Sequence, residues 1–247
     1  VYLHDSFAGG DFFRGIKTVM TIHNLKFQGN DGVEQFKRIS GLSDYYFTID
    51  KLRTGVDGNM LKGGLVYADA ITTVSNTYAE EIKTQFYGEG LDGLMRAKAI
   101  HLRGILNCID YVDYNPDTDK NIVARYNYDN VLEKKIHNKR AIQAELGLAQ
   151  DDNRFMIGIV SRLTDQKGFD LIAYMMERMC EQGIQFVVLG TGEQKYEDMF
   201  RWFAGKYPDR VSANIYYSEE MSHRIYASAD AFLMPSLFEP CGLSQLM

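Results

Sequence analysis

A carboxylate near the end of the sequence has the surroundings of a reactive group. Glu239 lies between Phe238 and Pro240, just after an apolar strand predicted at residues 231–234. Gly242 follows at the predicted start of a helix. Proline restricts the backbone of the turn, and the N–H groups at a helix start can bind an anion. The pattern therefore predicts a carboxylate beside an anion-binding turn.

A second segment, at 161–168, carries two cations between a predicted strand and a predicted helix. Arg162 offers a planar fork for phosphate oxygens, and Lys167 adds a point charge five residues later. Together they could bind a diphosphate and stabilise it as a leaving group. The alternative is a solvated surface loop in which Arg162 pairs with Asp165 or Asp170, and the sequence leaves both interpretations open.

Three weaker candidates also follow predicted strands. Thr191 and Gly192 belong to a Gly-Thr-Gly turn that could approach a phosphate. This turn lacks the third glycine of a dinucleotide-binding motif, and a simple tight turn is the more common meaning of so short a match. Tyr217 could stack on a nucleobase or pack as a core or rim residue. His23 could donate a hydrogen bond to a ligand, although an isolated histidine is usually structural.

The order of the predicted elements indicates an α/β fold. Apolar strands alternate with helices, which is typical of parallel sheets covered by helices on both faces. The strands are predicted at 16–22, 70–74, 102–106, 155–160, 185–189, 213–217 and 231–234, and the helices at 59–68, 77–86, 131–146, 169–181, 193–204 and 221–227. Ligands bind such sheets at the carboxyl ends of the strands, where all the candidates above lie. A polar stretch at 114–130 is the best linker candidate.

The composition limits the classes of function. The chain has 247 residues, of which 45% are hydrophobic and 24% charged, as in a globular protein long enough for two domains. A net charge of −6 without a run of Lys or Arg argues against nucleic acid as a partner. Cys108, Cys180 and Cys241 are widely spaced and show no metal-ligand pattern, which indicates reduced thiols of a cytoplasmic protein. We find no membrane span or signal peptide, and we expect neither a membrane nor a metal as a partner.

Six segments resemble, in order, those of bacterial glycogen synthases and plant-type starch synthases. They lie at 21–29, 59–65, 73–75, 104–107, 161–168 and 238–245, and they read Thr-Ile-His-Asn-Leu-Lys-Phe-Gln-Gly, Asn-Met-Leu-Lys-Gly-Gly-Leu, Thr-Val-Ser, Gly-Ile-Leu-Asn, Ser-Arg-Leu-Thr-Asp-Gln-Lys-Gly and Phe-Glu-Pro-Cys-Gly-Leu-Ser-Gln. The likeness covers essentially the whole chain. It implies two Rossmann-like domains that face each other across a cleft, at 1–115 and 116–247, both incomplete here.

The resemblance also implies a reaction. This is the retaining transfer of glucose from ADP-glucose to the non-reducing end of an α-1,4-glucan, without a metal ion or another cofactor. By the likeness, Arg162 and Lys167 bind the ADP phosphates, while Glu239 lies near the donor glucose and stabilises positive charge at its anomeric carbon. His23 contacts the donor glucose from the opposite domain, and Tyr217 stacks on adenine. The other substrate-binding residues expected are Asn107, Thr191, Gly192, Cys241, Gly242 and Leu243.

The sequence departs from the family pattern in three places. The Lys-x-Gly-Gly-Leu donor loop near the family's N-terminus is absent, and so is a later Gly-Gly-Leu loop that would follow Met247. Cys108 stands where the family usually has glycine after asparagine, which costs about 1 kcal/mol if the position needs a positive φ. We therefore expect an internal portion of a synthase with little or no activity of its own.

Two other classes of function stay open. The chain could belong to a non-catalytic module that binds a nucleotide sugar or a glucan, or to a related glycosyltransferase with another donor or acceptor. The residues give no physical reason for ADP over UDP, so that preference rests on the resemblance alone.

Overall fold

The computed structural model describes all residues from 1 to 247 and contains two compact units, Val1–Asn107 and Cys108–Met247. The division falls before the polar stretch 114–130, whereas the resemblance places it after residue 115. The stretch 114–130 belongs to the second unit because its hydrogen bonds join it to helices of that unit. Nδ1 of His223 lies 2.6 Å from a carboxylate oxygen of Asp119, and the side chain of Asn138 makes hydrogen bonds of 2.8 and 2.9 Å to the backbone of the stretch.

The first unit is built on a small parallel sheet. Its elements are β1 (Val19–Ile22), β2 (Asn30–Gly32), α1 (Val33–Ser40), β3 (Arg53–Thr54), β4 (Asp57–Asn59), α2 (Met60–Tyr67), β5 (Ala70–Thr73), α3 (Asn76–Glu81), α4 (Asp92–Ala97) and β6 (Leu102–Gly104). The strand order is β1-β5-β6, with every pair parallel. A separate antiparallel sheet, β2-β4-β3, was not predicted, because its strands are two or three residues long and carry no apolar alternation.

Side-chain caps fix the helices that follow the strands of the first unit. The side chain of Asn59 accepts a hydrogen bond from the backbone N–H of Lys62 at the start of α2, and Ser75 accepts one from Tyr78 at the start of α3. The prediction of a helix at 77–86 is wrong in length, since α3 ends at Glu81. The hydroxyl of Thr84 donates to the carbonyl oxygen of Glu81 at 2.7 Å, which competes with continuation of the helix.

The second unit follows the predicted alternation more closely. Its elements are α5 (Val131–Glu145), β7 (Met156–Val160), α6 (Phe169–Glu181), β8 (Gln185–Leu189), α7 (Gln194–Lys206), β9 (Val211–Asn214), α8 (Glu219–Ser228) and β10 (Ala231–Phe232). The strands form one sheet in the order β10-β7-β8-β9, and all its pairs are parallel. The α/β class with parallel sheets is confirmed, while the facing of two domains across a cleft stays a prediction.

Two apolar layers cover the sheet of the second unit. One layer contains side chains of β7 and β8 that pack with α6 and α7, namely Ile157, Ile159, Phe186, Val188, Phe169, Met176 and Phe200. The other contains the alternate strand residues, which pack with α5 and α8, namely Met156, Val187, Leu189, Ile142, Met221 and Ile225. Because successive strand residues point to opposite faces, these two sets require helices on both sides.

Two predicted elements of the second unit are wrong. The strand predicted at 213–217 lies earlier, at β9, because its partner β8 ends at Leu189, which pairs with Asn214. The aromatic residues beyond Asn214 therefore have no neighbouring strand, despite their high strand propensity. The helix predicted to begin at Gly242 is absent, since residues 242–247 form bends and turns.

Two classes of feature are absent from the structure. No helix has the length and apolar character needed to cross a membrane. No group of three or more His, Cys, Asp or Glu side chains is arranged to hold a metal ion.

Candidate active site

The carboxyl ends of the strands in the second unit collect most of the candidate residues. Because β10, β7, β8 and β9 are parallel and adjacent, the loops that follow them all leave the same edge of the sheet. Arg162 and Lys167 follow β7, Thr191 and Gly192 follow β8, Tyr217 follows β9, and Glu239 follows β10. The fold thus brings together at one edge residues that are up to 77 positions apart, from 162 to 239, in the sequence.

The loops that carry Lys167 and Glu239 are joined directly. The backbone N–H of Leu237 donates to the carbonyl oxygen of Gln166 at 2.9 Å. The side-chain amide of Gln166 donates in turn to the carbonyl oxygen of Phe238 at 3.2 Å. Gly168 has φ +69°, and a Cβ placed on it would lie 2.1 Å from the carbonyl oxygen of Pro235. Only glycine therefore allows this approach of the two loops.

Lys167 and Glu239 form an ion pair at the junction of these loops. The Nζ atom of Lys167 donates to Oε1 of Glu239, and the two side chains are only 15% and 18% exposed. The hydroxyl of Ser236 donates to the same oxygen at 2.6 Å. Both contacts use Oε1, and neither uses Oε2. Burial of this kind strengthens an ion pair relative to one in bulk water.

The Gly-Thr-Gly turn supports the loop that carries Arg162. The backbone N–H of Leu163 donates to the carbonyl oxygen of Thr191 at 2.9 Å, and a Cβ on Gly190 would lie 1.8 Å from the carbonyl oxygen of Ser161. The N–H of Gly192 donates to Oε1 of Glu197 at 3.0 Å. These contacts favour the tight-turn interpretation, in which the glycines serve the approach of two loops. A contact of this turn with a phosphate stays a prediction.

A buried tyrosine organises the other side of the same loop. The hydroxyl of Tyr196, a residue only 3% exposed, donates to carboxylate oxygens of Asp165 at 2.6 Å and of Asp170 at 3.0 Å. Lys195 also contacts Asp165. Burial, together with the hydrogen bonds to the two aspartates, raises the pKa of Tyr196 above its ordinary value. Sequence reasoning missed this cluster because Tyr196 and Asp165 are 31 positions apart and share no local pattern.

A cavity of about 260 Å³ opens beside Arg162 at the same edge of the sheet. Its lining includes Arg162, Thr191, Tyr217, Glu219 and Tyr114. Tyr216 and Tyr226 line it as well, so the cavity is rich in aromatic surface. It is shaped by the loop after β9 and by the stretch that precedes α5. A flat, largely apolar ring with an anionic tail matches this combination of tyrosines and guanidinium.

Two of the tyrosines that line the cavity, Tyr114 and Tyr217, differ in how neighbouring residues hold them. Tyr217 is 87% exposed. Tyr114 is stacked on His223, with ring centroids 4.4 Å apart and planes within 15°, and burial raises its pKa. Tyr114 falls in the polar stretch that is predicted as a linker, so no sequence pattern marks it as a site residue.

The candidate residues at 241–243 do not lie at the start of a helix, contrary to the sequence prediction. Since no helix begins at Gly242, its N–H group is not part of a helix start, and the proposed source of anion binding there is wrong. Gly242 is instead packed closely, since a Cβ on it would lie 2.8 Å from the Cε atom of Met234. Cys241 is partly buried, and Leu243 is exposed. Their contact with substrate stays a prediction.

The first unit carries the other two candidates. His23 is exposed and follows β1, while Asn107 is partly buried and follows β6, so both lie at the carboxyl edge of the β1-β5-β6 sheet. The backbone N–H of Asn107 donates to the carbonyl oxygen of Val74 at 3.4 Å, which ties it to the segment after β5. Their roles toward a sugar stay predictions.

Comparison with known proteins shows which proteins the chain resembles. Two family models match the chain, "Starch synthase catalytic domain" over residues 1–97 and "Glycosyl transferases group 1" over residues 154–246. The glycogen synthase of Lachnospira eligens is 64% identical over 247 residues, which are 100% of this chain and 52% of that protein. Over its whole length, the chain is thus similar to a glycogen synthase. A second glycogen synthase, that of Lachnoclostridium phytofermentans, is 61% identical over the same share of both chains.

A solved structure of the glycogen and starch synthase family has the same fold. The catalytic domain of starch synthase IV from Arabidopsis thaliana, bound to ADP and acarbose, superposes with a TM-score of 0.88 at 34% identity. The match covers 99% of this chain and 50% of that one. The chain therefore spans about half the length of the family members that it matches.

Proposed function

We propose that this chain carries the donor site of a retaining glucosyltransferase, which transfers glucose from ADP-glucose to the non-reducing end of an α-1,4-glucan. The observation that supports this most is the Lys167–Glu239 ion pair, placed at the same sheet edge as Arg162 and the tyrosine-lined cavity. A diphosphate requires cations, a sugar requires a hydrogen-bonding carboxylate, and a nucleobase requires an aromatic surface. All three lie along this edge.

The cations bind the diphosphate and stabilise it as it leaves. The ammonium of Lys167 has three donors, and the pair with Glu239 uses one of them. The others are available to phosphate oxygens, and the exposed guanidinium of Arg162 adds a bidentate contact. As the bond from the anomeric carbon to the diphosphate breaks, negative charge grows on the phosphate oxygen. Cations already held in position stabilise that charge without reorganisation.

Glu239 acts on the sugar. Its Oε1 is held by Lys167 and Ser236, which fixes the carboxylate and directs Oε2 to a sugar hydroxyl. The negative charge also favours the positive charge that develops on the anomeric carbon. The acceptor hydroxyl forms the new bond on the face that the diphosphate leaves, and its proton departs with the diphosphate. The α configuration is thereby retained.

The remaining residues bind the ends of the donor. Tyr217 stacks on the adenine ring, and His23 and Asn107 of the first unit contact the donor glucose. Thr191, Gly192, Cys241, Gly242 and Leu243 line the path of the sugar and phosphates. No metal ion or other cofactor takes part in this proposal.

Calorimetric titration of the chain with ADP-glucose tests the proposal. Replacing Lys167 by methionine should weaken binding by tenfold or more, because a phosphate contact and the partner of Glu239 are both lost. Lys206→Met is the matched control. Lys206 also pairs with a glutamate, Glu177, but it lies at the far end of α7, so this change should leave binding unchanged.

Two results would contradict the donor site. Either ADP-glucose fails to bind the folded chain, or Lys167→Met and Lys206→Met affect binding equally. Tighter binding of UDP-glucose than of ADP-glucose would instead favour a related glycosyltransferase with another donor.

A further inference from the structure

A glutamate that lines the cavity has no partner in the chain for its carboxylate. Glu219 lines the cavity together with Tyr114 and Tyr217, and its carboxylate makes neither a hydrogen bond nor an ion pair. The neighbouring Glu220 differs, because it pairs with Arg224 and does not line the cavity. The two adjacent glutamates of α8 therefore have different surroundings, and only Glu219 lines the cavity.

The helix start that carries Glu219 is well defined by the structure around it. Glu219 is the first residue of α8, whose start is capped by Ser218 through a hydrogen bond from the N–H of Met221. The ring of Tyr114 lies close enough to Glu219 for the carboxylate to contribute to the raised pKa of the phenol, after the larger effect of burial. The stack of Tyr114 on His223 holds that ring in place.

An ionised carboxylate only accepts hydrogen bonds, so it distinguishes nucleobases by the groups they present. An exocyclic amino group, as on adenine, donates to it, and glutamate reads the amino group of cytosine in the same way. An exocyclic oxygen at the same position offers only lone pairs and is repelled. We propose that Glu219 selects the nucleobase of the donor, favouring a base with an exocyclic amino group over one with an oxygen in its place.

This inference rests on the proposed function, because it assigns the base end of the same donor site. It gives a physical reason for the preference for an adenine nucleotide, which the sequence alone did not supply. It also predicts that the selecting group acts independently of the diphosphate contacts of Lys167, since the two residues follow different strands of the sheet.

The test compares ADP with inosine diphosphate, which carries an oxygen in place of the amino group and a hydrogen on N1, and which has the same ribose and diphosphate. Both are titrated calorimetrically into the chain and into its Glu219→Gln variant. We expect ADP to bind about tenfold more tightly than inosine diphosphate, the ratio for one hydrogen bond to a charged group. Glutamine offers both a donor and an acceptor, so the variant should bring the ratio close to one. Glu220→Gln, the matched control, should leave the ratio unchanged.

Titration with inorganic pyrophosphate separates the two proposals. If pyrophosphate and ADP bind but Glu219→Gln keeps the ratio of the unmodified chain, the base-selecting role is refuted and the donor site stands. The role is refuted as well if inosine diphosphate binds as tightly as ADP. If neither pyrophosphate nor ADP binds to the folded chain, the donor site and the base-selecting role both fail.

Discussion

The approach of the two loops at Gly168 offers a sharp test of how the site is built. Replacing Gly168 by alanine introduces a Cβ 2.1 Å from the carbonyl oxygen of Pro235, where ordinary van der Waals contact begins at 3.4 Å. The two loops must therefore separate by more than an ångström. Since Lys167 immediately precedes Gly168 and Glu239 lies in the other loop, the ion pair should be disturbed as well.

The magnitude follows from two separate costs. Alanine at φ +69° costs about 1 kcal/mol of backbone strain. The steric clash adds about 1–3 kcal/mol, as overpacking usually does. Gly147 is a matched control, because it has φ +70° and nothing within 4 Å of a Cβ. Gly147→Ala should therefore show the strain alone, and Gly168→Ala the strain plus the clash.

Denaturant unfolding and ADP titration measure these two effects. Gly168→Ala should lower the free energy of unfolding by about 2–4 kcal/mol and Gly147→Ala by about 1 kcal/mol. Binding of ADP should weaken in Gly168→Ala and stay unchanged in Gly147→Ala. If the two variants agree in both measurements, the loop junction does not hold the site in the way described.

Three further predictions concern buried groups of the second unit. Tyr196→Phe removes hydrogen bonds to two aspartates and should lower the free energy of unfolding by about 2 kcal/mol. An unchanged free energy of unfolding in a denaturant titration would contradict this prediction. Burial raises the pKa of the Cys180 thiol to about 11, so its thiolate is scarce at pH 8. A disulfide reagent should therefore modify the exposed Cys108 in the folded chain and Cys180 only after unfolding. Mass spectrometry measures the order of modification, and earlier modification of Cys180 would contradict this prediction. The ammonium of Lys139 lies 2.6 Å from Asp230, and its side chain is only 5% exposed. Asp230→Asn removes its counter-charge and should lower the free energy of unfolding by about 3–5 kcal/mol in thermal or denaturant unfolding. A change under about 1 kcal/mol would contradict the importance of this ion pair.

Alternation of apolar strands and helices was enough to predict the core of the second unit. The strand at Met156–Val160 and the helix at Phe169–Glu181 match their predictions closely, because each is long, apolar on the required side, and bounded by polar or glycine residues. Where a neighbouring strand decides the end of a strand, the apolar pattern of the sequence is insufficient to predict that end. The strand β9 stops at Asn214 because the neighbouring strand stops, and no feature of Ile215 or Tyr216 reveals this.

In the candidate site, too, some residues can be predicted from the sequence and others depend on packing. Arg162, Lys167 and Glu239 stand out in the sequence because cations and a carboxylate at strand ends have a chemical meaning by themselves. Ser236 could have been suspected, since it lies in the same loop as Glu239. Tyr114 could not, because its place beside the cavity depends on the packing of a polar stretch against α8.

Glucose transfer itself tests the central claim most directly. A hybrid in which this chain replaces the matching 52% of the Lachnospira eligens glycogen synthase, 64% identical to it, can be assayed for incorporation of labelled glucose from ADP-glucose into glycogen. We predict transfer by the hybrid. We predict that Glu239→Gln in the same hybrid lowers the rate by roughly 100-fold or more while ADP-glucose still binds, since the carboxylate acts on charge that develops only during reaction. Full activity of the Glu239→Gln hybrid, or no transfer by a folded hybrid that binds ADP-glucose, would contradict the account.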